Sequence, residues 1–247
     1  MKKALFAVAL ALMAIACNNY GDNTLSQVGK IEINAATRGE VSNTAPTSEG
    51  TFTLQNLPNI EDLKVEIVGN GETLVWNTLK EFNADTSNGR TFVSAPYDIT
   101  LSYGEKGAIG WSKPYFEGCA SVNVPQYSLT VTANIEVTLK NSIVAIETTD
   151  NFDGYFPQSS FKVAGVEWDA TKEELLFMNA GEVTINCTAT RQTGSTTELQ
   201  SKVTLKPTTR HTVVFDLSTA GNAVVNVKLD DQIIEVIELD IDLNKTI

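Results

Sequence analysis

The sequence predicts an all-β protein of two tandem antiparallel β-sandwich domains, immunoglobulin-like or transthyretin-like, with one short helix. Apolar and polar residues alternate with a period of two through most of the chain, and helical periodicity is almost absent. Two dipeptides that suit tight hairpin turns, Asn70-Gly71 and Asn88-Gly89, separate alternating runs. Many short strands joined by such turns are typical of β-sandwiches.

The longest alternating run marks the boundary between the two predicted domains. From Tyr127 to Lys140 every second side chain is apolar, and an extended run of that length would span about 46 Å at about 3.3 Å per residue. The alternation loses its phase just after Asn141. We therefore predict an N-terminal sandwich over residues 28–140 and a C-terminal sandwich over residues 141–247.

One segment, "DATKEELLF" from Asp169 to Phe177, has a helical pattern. Thr171 and Glu174 stand three residues apart, which is the spacing of a capping box. The sequence predicts a helix of about two turns here.

The first sixteen residues have the features of an export signal. Two lysines precede an apolar run that ends at Ala16. This run is shorter than the about 20 residues that a membrane-spanning helix needs, and it fits the hydrophobic region of a signal peptide. We predict a signal peptide over residues 1–16.

Two interpretations remain for Cys17, the residue that follows. A general signal peptidase would cut after Ala16 and leave Cys17 as an ordinary first residue. Alternatively, "MAIAC" is a lipobox, and Cys17 is acylated and becomes the mature N-terminus. We prefer the lipobox because the chain has three cysteines in all, and acyl chains hold a protein stably on a bilayer. Residues 17–27 would then form a lipid anchor and tether.

The charge of the chain excludes some partners. Its 247 residues include 18 basic and 30 acidic side chains, for a formal net charge of −12. Nucleic-acid binding requires a basic surface, and so does electrostatic adsorption to anionic lipid. We therefore predict no nucleic-acid partner, and we assign membrane attachment to the acyl chains.

No motif indicates catalysis, a cofactor or a metal. The single histidine, His211, stands at the start of a predicted strand without a nucleophile motif, so a structural role is expected. The segment "TTDNFDGYF" resembles a calcium loop, but Thr149 and Ser160 replace the acidic residues of its first and last positions. A non-enzymatic protein is expected.

Two further cysteines leave a disulfide open. An exported chain could join Cys119 and Cys187. However, Cys187 shares the inner face of a predicted strand with apolar residues, where a small free thiol fits a core position.

The segment "GWSKPYFEGCASV" is rich in glycine and aromatic residues. Trp111, Tyr115 and Phe116 stand close together in it. Aromatic side chains on a loop can stack on a sugar or anchor a partner, so these three are candidate ligand contacts. The alternative, which we prefer, is that they close the open end of the sandwich, because large aromatic side chains usually fill cores.

Seven segments follow one another in an order known from one family: "DLKVEIVGNGETLVWNT", "YDITLSYGE", "WSKPYFEG", "ANIEVTLKNSIVAI", "NFDGYF", "LKPTTRHTVVFDL" and "IELDIDL". Together they resemble the lipoproteins grouped as domain of unknown function 4493. Cys119 stands where a serine is more usual in that family. The resemblance implies a secreted or outer-membrane lipoprotein of two β-domains, broadly similar to fimbrillin-type subunits and adhesins, and it supplies no catalytic residues.

The likeness to fimbrillins also implies a candidate maturation site. Such precursors are cut after an arginine that follows the first strand, and a neighbour's strand then fills the groove. Here Arg38 follows the first predicted strand, Lys30 to Ala35, so Arg38-Gly39 is the matching bond. The alternative, which we prefer, is an arginine in a flexible linker.

From these observations we expect a non-enzymatic lipoprotein of the outer membrane, on the cell surface rather than the periplasmic face. Its expected partners are the membrane, through acyl chains at Cys17, and a glycan or protein at the cell surface. The alternative is a fimbria-like structural subunit that forms a homopolymer by strand exchange.

Overall fold

The computed structural model describes residues 27–44, 50–218, 224–230 and 232–239. The predicted signal peptide, Ala16 and Cys17 lie outside these ranges. Within them, no helix is both long enough and apolar enough to cross a membrane.

Strands dominate both halves of the chain, which confirms the predicted all-β, sandwich-like class. The strands before residue 140 are β1 (Val28–Arg38), β2 (Glu40–Asn43), β3 (Gly50–Thr53), β4 (Lys64–Gly69), β5 (Glu72–Trp76), β6 (Phe92–Val93), β7 (Pro96–Tyr103), β8 (Gly110–Trp111), β9 (Phe116–Asn123) and β10 (Thr130–Leu139). Those after it are β11 (Ser142–Thr148), β12 (Gln158–Val163), β13 (Val166–Trp168), β14 (Leu176–Met178), β15 (Gly181–Thr190), β16 (Thr196–Leu205), β17 (Thr209–Ser218), β18 (Val224–Leu229) and β19 (Gln232–Glu238). The helices are α1 (Leu79–Ser87) and α2 (Asp150–Tyr155), and a 3-10 turn covers Ile60–Asp62.

The strands form three sheets around two hydrophobic cores. The first half builds a seven-stranded sheet in the order β5-β4-β7-β9-β10-β1-β6, and Leu79 and Phe82 of α1 belong to its core. The second half packs a four-stranded sheet, β13-β12-β15-β16, against a sheet in the order β19-β18-β17-β11-β14-β8. The alternation predicted from sequence supplies the buried face of each sheet.

The sheets are not purely antiparallel, unlike the predicted sandwiches. β1 runs parallel to β10, β11 runs parallel to β17, and β2 runs parallel to β17. Alternation reports which face of a strand is buried but not the direction of its neighbour, so the sequence carried no signal for these pairs.

The helix predicted over residues 169–177 is wrong. Residues 169–175 form an irregular loop with a turn at Ala170 and Thr171, and Leu176 begins β14. The Asp169 carboxylate accepts hydrogen bonds from both the backbone N–H and the hydroxyl of Thr171, at 2.9 and 2.6 Å. Such a local turn competes with helix formation.

The helices lie elsewhere. Thr78 caps α1 by accepting the N–H of Glu81, and the Glu81 carboxylate accepts the N–H of Asn77, which is close to a complete capping box. Asn88-Gly89 is therefore the C-terminal end of α1 and not a hairpin turn.

The two halves exchange strands. The hairpin of β2 and β3 comes from the first half but pairs with β17, and β8 pairs with β14. In return, Ile143 and Phe177 of the second half pack into the first core. The domain boundary near Asn141 stays a prediction, because elements cross it in both directions.

A candidate binding groove between the halves

An open groove of about 1280 Å³ lies where the two halves meet. We call it the junction groove. Residues from four segments line it, three of them in the first half and one in the turn region before β14 and its first residues. They are Phe52 to Pro58, Tyr103 to Ala108, Ser112 to Phe116, and Thr171 to Phe177.

The lining of the junction groove combines aromatic and charged side chains. Phe116 and Phe177 are buried beneath it, whereas Tyr103 is 39% exposed. Lys113 and Lys172 bring positive charge, and three carboxylates bring negative charge: Glu105, Glu173 and Glu174. The surface therefore offers a ring to stack on and charged groups of both signs.

A buried side-chain amide links two of the segments that form the groove. Asn141 is 3% exposed. Its Oδ1 accepts the N–H of Tyr115, and its Nδ2 donates to the carbonyl of Ala108 at 3.4 Å. Its own carbonyl accepts the N–H of Thr208 at 2.9 Å. Asn141 thus fixes the loop between β7 and β9 in the first half to the turn before β17 in the second half.

A glycine permits the tight approach of the two arms of this loop. Gly104 has φ +82°, and a Cβ atom there would lie 2.1 Å from the carbonyl oxygen of Pro114. Since no side chain fits that gap, glycine is required at this position.

Two of the three predicted aromatic contacts lie in the core. Phe116 is buried, and Tyr115 is nearly so, with its hydroxyl donating to the Glu117 carboxylate. Burial, followed by the hydrogen bond to Glu117, raises the pKa of Tyr115 far above its ordinary value, so the hydroxyl remains a donor. The ligand-contact role of these two residues stays a prediction.

Trp111 occupies a half-exposed position beside the groove. Its ring lies 5.2 Å from that of Trp168 at an interplanar angle of 31°, and its Nε1–H donates to the carbonyl of Glu167 at 3.0 Å. The Lys172 ammonium sits 5.0 Å from the Trp111 ring centroid, a cation–π distance. Lys172 therefore belongs both to this pair and to the groove lining.

The candidate maturation site lies at the end of a longer strand than predicted. β1 continues to Arg38, whose guanidinium lies 3.4 Å from Glu40 and 3.5 Å from Glu136. Gly39 is buried, and a Cβ atom there would lie 2.9 Å from the side chain of Leu57. Cleavage of the Arg38-Gly39 bond stays a prediction.

His211 has the structural surroundings that the sequence favours. It is buried, and its Nε2 accepts the N–H of Lys206 at 2.8 Å. Its proton is therefore on Nδ1, which lies 2.7 Å from the Asp230 carboxylate. Burial raises the pKa of Asp230, but hydrogen bonds from His211 and Thr44 outweigh it and hold that pKa below its ordinary value.

The two cysteines within the described residues are free and differ in exposure. Cys119 is exposed and Cys187 is buried in the second core. Burial, with a smaller effect of the Glu198 charge, raises the pKa of Cys187 to about 12. Cys187 therefore remains a neutral thiol, as its place on the inner strand face predicts.

The described residues include no cluster of three or more histidine, cysteine, aspartate or glutamate side chains that could hold a metal ion. The segment that resembled a calcium loop forms α2, in which Thr149 caps the helix and Asp153 accepts the hydroxyl of Thr148.

Sequence reasoning missed three residues of the site: Tyr103, Trp168 and Lys172. Tyr103 ends an alternating run of the sequence, which predicts a strand, and the following Gly104 marks a sharp turn at the strand end. Lys172 falls in the segment predicted to be a helix, which does not form, and Trp168 directly precedes that segment and carries no predicted role.

These features define a class of protein: all-β, with two cores, exchanged strands and an open groove of mixed polarity where the halves meet. The sequence resemblance is confirmed, because the family model described as Domain of unknown function (DUF4493) matches residues 28–245. The chain belongs to this family.

Several crystal structures are similar to this chain. One is a candidate polysaccharide-binding protein from Bacteroides thetaiotaomicron, with 7% identity, a TM-score of 0.41, and 85% of this chain and 98% of that chain covered. Another is a candidate cell adhesion protein from Bacteroides ovatus, with 9% identity, a TM-score of 0.38, and 84% and 99% covered. A candidate adhesin from Bacteroides thetaiotaomicron has 6% identity, a TM-score of 0.39, and 89% and 100% covered. No curated protein matches the chain.

Proposed function

We propose that this protein is a non-enzymatic binding or adhesion module of the cell envelope, and that the junction groove contacts its ligand. The observation that carries the proposal is the groove itself. It is open, it is larger than the roughly 300–1,000 Å³ of typical small-molecule pockets, and it combines an exposed tyrosine with charges of both signs. Such a surface fits an extended ligand, a glycan or a protein loop, better than an enclosed metabolite.

Attachment to the envelope is the second part of the proposal. The lipobox "MAIAC" supports acylation of Cys17 after cleavage at Ala16, and two or more acyl chains give stable anchoring. We place the protein on the outer membrane, facing the cell surface rather than the periplasm.

The groove is tested by binding a panel of oligosaccharides to the full-length protein in detergent micelles. We expect Tyr103→Ala and Lys172→Ala each to lower the affinity for the oligosaccharide that binds about tenfold, because one well-placed contact contributes on the order of 1.4 kcal/mol. Tyr127→Ala is the matched control, since Tyr127 is an exposed tyrosine outside the groove. If all three variants lose affinity for the oligosaccharide equally, or if the two groove variants lose none, the groove is not the binding site.

One observation favours the alternative function, a fimbria-like subunit assembled by strand exchange. β1 pairs with β10 at every position from Lys30 to Arg38, but it pairs with β6 at Val28 and Gly29 alone. A strand held mainly along one edge can be replaced by a strand of another copy.

The alternative is tested on protein purified from membranes. N-terminal mass spectrometry should then give a chain that begins at Gly39, and electrophoresis in warm detergent should give high-molecular-weight ladders. A chain that always begins at acylated Cys17, without ladders, would contradict strand exchange.

A further inference from the structure

We propose that the end of the first half where β1 begins rests on the lipid bilayer and holds the junction groove away from it. The contact surface consists of Val93, Tyr127 and Leu129, which we call the basal patch. This inference rests on the lipid anchor at Cys17 proposed above.

The basal patch surrounds the first residues of β1. Val93 of β6 is the pairing partner of Val28. On the other side, the N–H of Ser128 donates to the carbonyl of Val28 at 2.8 Å, and the N–H of Lys30 donates to the carbonyl of Leu129 at 2.8 Å. The three side chains therefore flank the point where the chain leaves the tether and enters the fold.

All three side chains are open to solvent. Val93 is 43%, Tyr127 54% and Leu129 58% exposed. Tyr127 and Ser128 have φ +65° and +56°, so two consecutive non-glycine residues adopt the left-handed conformation in this turn. That conformation is unfavourable for L-residues, and here it places a tyrosine and a leucine at the tip of the sheet.

The charge around the basal patch differs from that of the whole molecule. The surrounding segments, 27–31, 86–97 and 118–135, contain Lys30 and Arg90 but no aspartate or glutamate, in a chain with 30 acidic residues. Carboxylates near this end come from other positions: Glu32 further along β1, Glu72 on β5, Asp98 on β7, and Asp85 on α1, which forms an ion pair with Arg90 at 3.7 Å. The net charge of −12 opposes adsorption of the whole protein, but the segments around the basal patch are apolar or uncharged apart from Lys30 and the paired Arg90, which a headgroup region accepts.

The tether limits how far this end can be from the membrane. Gln27 stands ten residues after Cys17, so the fully extended chain between them reaches about 36 Å at up to about 3.6 Å per residue. The basal patch lies within that reach, because it flanks Val28, the first residue of β1. Tethering also raises its effective concentration at the bilayer, so a weak contact is populated.

The opposite end of β1 leads to the groove. β1 has eleven residues, which span about 36 Å at about 3.3 Å each. Gly39, the next residue, packs against Leu57 of the groove lining. A molecule that stands on the basal patch therefore presents the junction groove at its far side.

A lipid surface suits the basal patch better than a second copy of the chain. Three side chains form a patch well below the about 800 Å² that each partner buries in a stable protein interface. Tyrosine is enriched where membrane and water meet, because its ring is apolar and its hydroxyl is polar.

Amide hydrogen exchange tests the proposal on the full-length acylated protein. Exchange is compared between detergent micelles and vesicles of phosphatidylcholine and phosphatidylethanolamine. We expect peptides that cover residues 92–97 and 122–131 to exchange about tenfold more slowly on vesicles, while peptides from the groove loop, residues 103–114, are unchanged.

The double variant Tyr127→Ser, Leu129→Ser should remain on the vesicles through its acyl chains but lose this slowing. Val75→Ser, which changes an exposed residue of β5, is the matched control and should keep it. Equal melting temperatures of the three proteins in micelles exclude unfolding as the cause.

The outcomes separate the possible failures. Anchored protein without slowing at residues 122–131 overturns the basal contact and leaves the anchor intact. Protein that never associates with vesicles overturns both. Slowing that depends on protein concentration in micelles assigns the patch to self-association and overturns the lipid contact. Oligosaccharide binding in micelles tests the groove independently of all three.

Discussion

Asn141 should have an effect on stability out of proportion to its size. In Asn141→Ala, the buried N–H of Tyr115 loses its acceptor and the carbonyl of Ala108 loses a long, weaker donor. A buried backbone group left unsatisfied costs about 1–3 kcal/mol, so we expect a loss of about 2 kcal/mol. For a chain of this size, that lowers the melting temperature by about 4–8 °C.

Asn179→Ala is the matched control for this prediction. The Asn179 side chain also bonds the groove loop, donating to the carbonyl of Gly107 at 3.0 Å, but it is exposed and water can replace it. We expect Asn179→Ala to change the free energy of unfolding by no more than about 0.5 kcal/mol. Calorimetry and urea unfolding measure both variants. Equal effects of Asn141→Ala and Asn179→Ala would refute the assignment of Asn141 as the buried link between the halves.

Two further predictions concern the groove loop and the His211 network. Gly104→Ala should destabilise the protein by at least about 2 kcal/mol more than Gly107→Ala in urea unfolding, because both glycines have positive φ but only the Cβ at residue 104 meets a backbone atom. Similar losses of unfolding free energy in the two variants would contradict this, because they would show that the backbone at Pro114 moves to make room for the added Cβ atom. Asp230→Asn should cost about 1–3 kcal/mol at pH 7. The folded pKa of Asp230 lies below the unfolded value of about 3.9, so its contribution is full above about pH 4 and is lost as pH falls through the folded pKa. The variant should therefore lose less stability than the wild type between pH 5 and 3, and parallel acid profiles would contradict this.

The fold class could be predicted from sequence because alternation is a local property. Val131, Ala133, Ile135, Val137 and Leu139 fall on one face in the sequence, and the structure buries four of the five completely or nearly so. Strand direction and partner choice depend on contacts far apart in sequence, such as Lys30 with Thr130. No local pattern reports such a contact.

The helix errors have a different cause. The segment after Asp169 has helical composition. However, the Asp169 carboxylate accepts the backbone N–H of Thr171, and Leu176 pairs with Val144 in a sheet. At α1 the signal was present in Thr78 and Glu81, but the neighbouring Asn88-Gly89 was assigned to a hairpin. Both errors come from a local preference that tertiary pairing or capping overrides.

The groove could be predicted only in part. The composition of the aromatic loop identifies it as a distinctive segment, and the domain boundary that the loss of phase predicts near Asn141 stays a prediction. The groove itself needs segments from both sides of that junction, including Phe52 to Pro58 and Thr171 to Phe177. Their meeting depends on the exchanged hairpin of β2 and β3, which alternation does not reveal.

The parallel pairing of β1 with β10 has a mechanical consequence. A pull between a tether at Val28 and a ligand held in the junction groove acts along the axis of β1. The nine paired positions from Lys30 to Arg38 then carry the load in shear, and their hydrogen bonds must fail together rather than one after another. A strand peeled from its end would give way at a much lower force, so this arrangement would resist force in the binding or adhesion role proposed above.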